Sequence, residues 1–137
     1  IGNYLFIGAT LWTTPTEFTD KIVRIHNITK ERFLMRHKLD KKFIYNSLTY
    51  AHNNDLIPIV VTHYPPSKKA RNPSRNSDIY SSLYYNNLDV SKVYMWISGH
   101  THFNYSIMEN GCKLISNQLG KNKDNIQDYK KMCIIEI

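Results

Sequence analysis

Leu56-Ile57-Pro58-Ile59-Val60-Val61-Thr62-His63-Tyr64-Pro65-Pro66 is an apolar run that stops at a histidine, and Val93-Tyr94-Met95-Trp96-Ile97-Ser98-Gly99-His100-Thr101-His102 repeats the plan. Both runs are apolar with little polar alternation, the pattern of a strand in a sheet covered on both faces. Pro58 counts against a central strand and fits only among its first residues. Open α/β sheets build their sites beyond the carboxyl ends of strands, and these histidines stand there. The two stretches predict an α/β or α+β fold with His63, His100 and His102 as the candidate site.

Working outward, residues 4–10 read as a strand, with Gly8 permitting close backbone packing. Thr14 as N-cap, Pro15 at the first position and Glu17 at the third predict a short helix with Ile22, Val23 and Ile25 on it. Thr29 is a further N-cap, with a basic helical stretch after it. Residues 38–53 give the best helical spacing, with Leu39, Phe43, Ile44, Leu48 and Ala51 on one apolar face. Asn53-Asn54-Asp55 stops that helix. Residues 67–77 read as a loop, and 78–88 as a helix capped by Ser77 or Asp78. Residues 103–108 predict a strand, Asn110-Gly111 a hairpin turn, and 112–116 the returning strand. A polar loop follows over 120–128, and 132–137 read as a closing strand. Strands and helices alternate early and strands dominate later, which favours an α/β (α+β) sandwich.

A chain of 137 residues is one domain or part of one. With 42% hydrophobic and 21% charged residues it can form a core, so disorder is excluded. Its apolar runs are too short and too interrupted for a transmembrane helix, and no membrane association is expected. Ile1-Gly2-Asn3-Tyr4-Leu5-Phe6 has no initiator Met and no basic n-region; it reads as a chain entered in mid-strand, which predicts a fragment. The net charge of +7 suits an anionic partner such as phosphate or nucleic acid, but Lys and Arg are scattered as on any solvated basic surface. The local concentration is Lys68-Lys69-Ala70-Arg71, with Arg75 beyond it. Cys112 and Cys133 make no CxxC pattern and read as buried, reduced thiols, in keeping with a cytoplasmic location; a disulfide between neighbouring strands stays open.

Neutral imidazole is the commonest metal ligand. In an extended segment His100 and His102 share one face; in a loop they diverge to two ions. Gly99 would let the backbone pass close to a metal or phosphate, and Thr101 would fix the turn by bonding a backbone group. His26, His37 and His52 lack strand-end context and read as surface or helix residues. The competing reading of His63, His100 and His102 is structural, as hydrogen-bonded groups at loop ends.

Four segments together resemble the C-terminal half of a calcineurin-like metallophosphoesterase. Phe6-Ile7-Gly8-Ala9-Thr10-Leu11-Trp12-Thr13 resembles the strand after that family's Gly-Asn-His-Glu/Asp motif. Val60-Val61-Thr62-His63-Tyr64-Pro65-Pro66-Ser67 resembles its Thr-His-His-x-Pro-Ser segment. Trp96-Ile97-Ser98-Gly99-His100-Thr101-His102 resembles its closing Trp-Ile-x-Gly-His-x-His, and Ser116-Asn117-Gln118-Leu119-Gly120 the turn that follows. The resemblance implies part of a four-layer α-β-β-α metallophosphoesterase sandwich and a phosphate-ester substrate. It implies two divalent metal ions (Mn, Fe, Zn or Co), with His63 and His100 on one and His102 on the other. Lys68, Lys69 and Arg71 would hold the substrate's phosphate.

The family's Asp-x-His, Gly-Asp and Gly-Asn-His-Glu/Asp motifs are absent. Asp20, Asp40, Asp55, Asp78, Asp89, Asp124 and Asp128 stand in other contexts, Gly2-Asn3 precedes Tyr4, and Tyr64 takes the place of the second His. Catalytic residues are therefore unassigned. The expected partner is the missing N-terminal half of the domain, with an exposed sheet face awaiting it and an inactive fragment until it arrives. Two other readings stay open: a degenerate, non-catalytic phosphoesterase-fold interaction module, and a basic nucleic-acid-binding domain. Enrichment in Asn, Lys, Ile and Tyr points to a viral or low-GC source.

Overall fold

The structure, a computed structural model, describes residues 2–15, 25–75 and 81–137. It is a mixed α/β arrangement built on one five-stranded sheet. The strands are β1 (Tyr4–Ala9), β2 (Ile57–Thr62), β3 (Met95–Ser98), β4 (Tyr105–Glu109) and β5 (Cys112–Ser116). They lie in the order β1-β2-β3-β5-β4. The first four run parallel, and β4 returns antiparallel to β5 through Asn110-Gly111. Both turn residues have positive φ, 48° and 83°, the conformation that matches hairpin twist and that Asn-Gly adopts at low cost.

One row of the sheet carries the main core. Ile7 pairs with Val60, Val60 with Trp96, and Trp96 with Leu114. All four are buried, and Ile44 and Leu48 of helix α1 (Lys30–Asn53) pack on them. Trp96 buries its indole because its Nε1–H donates to Thr62 Oγ1 at 2.8 Å, and that hydroxyl donates to Tyr64 O at 2.6 Å. On the opposite face Ile59, Met95 and Ile115 form a smaller cluster with Ile135 against it. Phe6, Val61 and Met108 stand exposed on that side.

The helix differs from its expected form. It begins at Lys30 and is a single element of 24 residues, with Thr29 as the cap that accepts from Arg32 N–H. Its inward line is Phe33, His37, Asp40, Ile44, Leu48 and Ala51, so the expected face is correct only in its last three members; Leu39 and Phe43 are exposed. Two polar residues on the line set this rotation. Asp40 Oδ2 accepts from Leu11 N–H at 2.8 Å, and His37 Nδ1 hydrogen-bonds Trp12 O. His37 is therefore a buried anchor and not a surface residue, whereas His26 and His52 are exposed as expected.

Three other expectations change. Residues 84–88 are not helical; only a 3-10 turn, Ser81–Leu83, precedes them. Asn86 and Leu88 instead donate their N–H groups to Pro65 O and Pro66 O, and the Asn86 side chain reaches Leu11 O and Pro65 O. Residues 132–137 form no strand, although Ile135 covers the small cluster. Cys112 is buried, Cys133 is exposed, and neither is in a disulfide. The expected helix after Thr14 falls largely on residues 16–24, and the Ser77 or Asp78 cap on 76–80; both lie outside the described residues. No helix among the described residues is long and apolar enough to cross a membrane.

Burial pushes the Tyr105 phenol up to about 12. Burial and the Glu109 carboxylate push the Cys112 thiol to about 12 as well, from 9.0. Both groups keep their protons longer when folded, so the unfolded chain releases them first as pH rises. Their contribution is complete below about pH 9 and is lost towards about pH 12. The urea midpoint should therefore fall steadily across that window; a flat midpoint there would contradict the assignment.

Candidate functional site

The parallel pairing of β2 and β3 ends at Thr62 opposite Ser98. Gly99 N–H then donates to His63 O at 3.0 Å, which carries the ladder one step past the strands. The rings of His63 and His100 meet there, with Nε2 and Nδ1 3.0 Å apart and ring planes inclined by 71°. Tyr64, 7% exposed, packs against His100 at 4.0 Å between centroids with its ring tilted by 42°, and Tyr84 lies at 5.5 Å. Burial lowers the His63 pKa, and repulsion from His102 lowers it further, which favours the neutral imidazole. Burial raises the Tyr64 phenol.

His100 and His102 both adopt left-handed backbone, φ 68° and 50°, with buried Thr101 between them. Histidine enters this region more readily than most residues, but such conformations cost about 1–3 kcal/mol each and persist only when the surroundings impose them. Here Thr101 N–H donates to Gly99 O, and His102 N–H donates to Gln118 Oε1 at 2.9 Å. The two rings consequently diverge and do not share a strand face. His100 turns towards His63, and His102 Nδ1 lies 2.7 Å from Asp124 Oδ2. The positive φ falls on the histidines and not on Gly99, where an added Cβ would find only ordinary contact, 3.6 Å from His63 O. Thr101 fixes the turn through its backbone N–H; its hydroxyl faces Gln118.

Gln118 and Asp124 are the residues missed by sequence reasoning. Because β5 runs parallel beside β3, its end delivers Gln118 to the histidine loop. The Gln118 amide nitrogen reaches Thr101 Oγ1, Phe103 O and Ser116 Oγ. Asn104 Oδ1 accepts Gln118 N–H. The available signal for Asp124 was its place three residues after Lys121, where it accepts Lys121 N–H at the head of a 3-10 turn (Asn122–Asp124).

Lys68, Lys69 and Arg71 do come together. They stand on and just after a 3-10 turn (Lys68–Ala70) capped by Ser67, and line an open cleft of about 460 Å³ with Pro73, Asn87 and Glu109. The histidines are not among its walls. Lys69 Nζ is 3.5 Å from Glu109 Oε1. Asn72 ties this loop to the histidines by donating to Thr101 O at 3.3 Å.

The donor set fits part of a metal shell. Two nitrogens of a tetrahedral site stand about 3.3 Å apart, given Zn–N bonds of about 2.0–2.1 Å; His63 Nε2 and His100 Nδ1 are hydrogen-bonded to each other at 3.0 Å, so sharing an ion would require that bond's proton to leave and the rings to turn. Among the described residues no group of three or more His, Cys, Asp or Glu side chains is arranged to hold an ion.

No protein-family model matches the chain. No solved structure matches it. It is similar to an uncharacterized protein of Acanthamoeba polyphaga mimivirus, 25% identical over 161 aligned positions that cover 96% of this chain and 56% of the relative. The chain thus spans about half the length of the curated relative it matches. A viral relative fits the source expected from composition.

Gln118→Ala would strip His102 N–H and the Thr101 hydroxyl of their partner. Leaving such groups unpaired costs about 1–3 kcal/mol, which the urea midpoint should report; an unchanged midpoint would show that water replaces the amide.

Proposed function

We propose that the chain is the histidine-bearing part of a metal-dependent phosphoesterase, a hydrolase of phosphate mono- or diesters. The observation that carries this reading is the convergence of His63 and His100 from adjacent parallel strand ends, their rings hydrogen-bonded Nε2 to Nδ1 at 3.0 Å. In it, His63 and His100 hold one divalent ion (Mn, Fe, Zn or Co) and His102 serves the second. Such ions polarise a phosphoryl group and lower the pKa of a bound water. Lys68 and Arg71, on the loop that Asn72 ties to Thr101, hold the anionic ester, and Lys69 forms the outer wall with Glu109.

The same reading takes the sheet as the C-terminal half of a four-layer α-β-β-α sandwich. Supporting it, α1 covers one face while Phe6, Val61 and Met108 stay exposed on the other. A second sheet packed there would bury them and bring the carboxylates that His63 and His100 lack. A second reading, a non-catalytic module that kept the scaffold, is favoured by the absence of a three-donor cluster among the described residues.

Calorimetric titration of the chain with Zn²⁺ or Mn²⁺ tests the proposal. Weak binding is expected, reduced more than about tenfold by His100→Ala, since removal of a ligand should exceed the 10–100-fold effect of an outer partner. Binding unaffected by both His63→Ala and His100→Ala, or none at millimolar metal, favours the non-catalytic module.

A further inference from the structure

We infer that Asp124 is a positioning residue for His102: it holds the imidazole proton on Nδ1 and so presents the Nε2 lone pair to the site. The inference rests on His102 as a ligand of the proposed centre, but its geometry stands independently. A carboxylate can only accept, so at 2.7 Å from Asp124 Oδ2 the His102 Nδ1 must donate. In a neutral imidazole the other nitrogen is then the acceptor, and a ligand needs that nitrogen. A histidine serving a metal commonly has its second nitrogen fixed by such a carboxylate.

The carboxylate is built into its place. Oδ2 also accepts Lys121 N–H at 2.7 Å, closing the turn that carries it. Gly120 has φ +69°, and a Cβ added there would lie 3.1 Å from Asp124 Oδ2 and 3.1 Å from Ile126 Cγ1. The Gly120 conformation and its bare α-carbon therefore make room for this carboxylate. From the other side, Gln118 Oε1 holds His102 N–H and the left-handed backbone of His102 sets the direction of its ring. The His102 and Asp124 side chains are only 25% and 12% exposed, so the contact is not a loose surface pair.

Nitrogen-15 NMR of the metal-free chain, above the imidazole titration range, reads the tautomer of His102 directly. The wild type should show the Nδ1–H form. Asp124→Ala should shift it towards Nε2–H, the form imidazole prefers in water, and Asp124→Asn should shift it part of the way. If Zn²⁺ moves the wild-type His102 signals, those of Asp124→Ala should respond only at 10–100-fold higher metal, while those of His63 and His100 respond as in the wild type. An Nε2–H tautomer in the wild type overturns the inference whether or not the variants fold. So does a His102 tautomer that Asp124→Ala leaves unchanged. If zinc moves none of the three histidines in the wild type while the tautomer still switches, the metal reading falls and the orienting role of Asp124 stands.

Discussion

The register between β2 and β3 is the constraint from which the rest follows. Thr62 opposite Ser98 brings two separate apolar runs to an end at the same height, and Gly99 N–H to His63 O extends the match by one bond. A slip of one residue would turn every side chain to the other face. Trp96 guards against that slip, because its indole fits the helix-side core only if Thr62 is there to accept its N–H. The same hydroxyl donates to Tyr64 O, so the bond that satisfies the buried tryptophan also shapes the chain around His63. Core packing and site geometry are thus one arrangement, joined at Thr62.

The second determinant is where the hairpin attaches. Although β4 comes first in the chain, β5 lies beside β3 and β4 takes the edge. The carboxyl end of β5 therefore arrives at the same rim as those of β2 and β3, carrying Gln118 and then Asp124. An antiparallel neighbour at that place would have sent those residues to the far rim. Gln118 offsets the backbone strain at His100 and His102 by engaging His102 N–H, the Thr101 hydroxyl and Phe103 O within one side chain's reach.

What the sequence revealed divides along physical lines. The apolar runs of β1, β2 and β3 and the Asn110-Gly111 hairpin were legible because strand burial and turn conformation are local properties. The face of α1 was misread because Leu39 and Phe43 look like core residues on hydrophobicity alone. The rotation is set by Asp40 and His37 bonding to Leu11 N–H and Trp12 O, contacts between segments far apart in sequence. The stretch 84–88 was misread for the same reason, since the Asn86 amide bonds Leu11 O and Pro65 O outside its own segment. His63, His100 and His102 could be named from the strand ends that carry them. Their division into a converging pair and a ring turned to Asp124 depends on left-handed backbone at His100 and His102, which histidine adopts too seldom for the sequence to mark it.

Charge decides what this rim could do alone. Two unit charges about 4 Å apart repel by about 4 kcal/mol at an effective dielectric of 20, and two dications by about four times that. Three imidazoles carry no negative charge to offset it. Asp124 adds one negative charge, but it acts through His102 and not between His63 and His100. A single ion on the His63–His100 edge meets no such repulsion and needs only further donors, which water can supply. A second ion on His102 would require carboxylates beyond Asp124, since no group of three donors is arranged around an ion among the described residues. In the proposed metal centre a first ion would therefore fall to the paired histidines, and occupancy of His102 would report whether anionic ligands had been added to the rim.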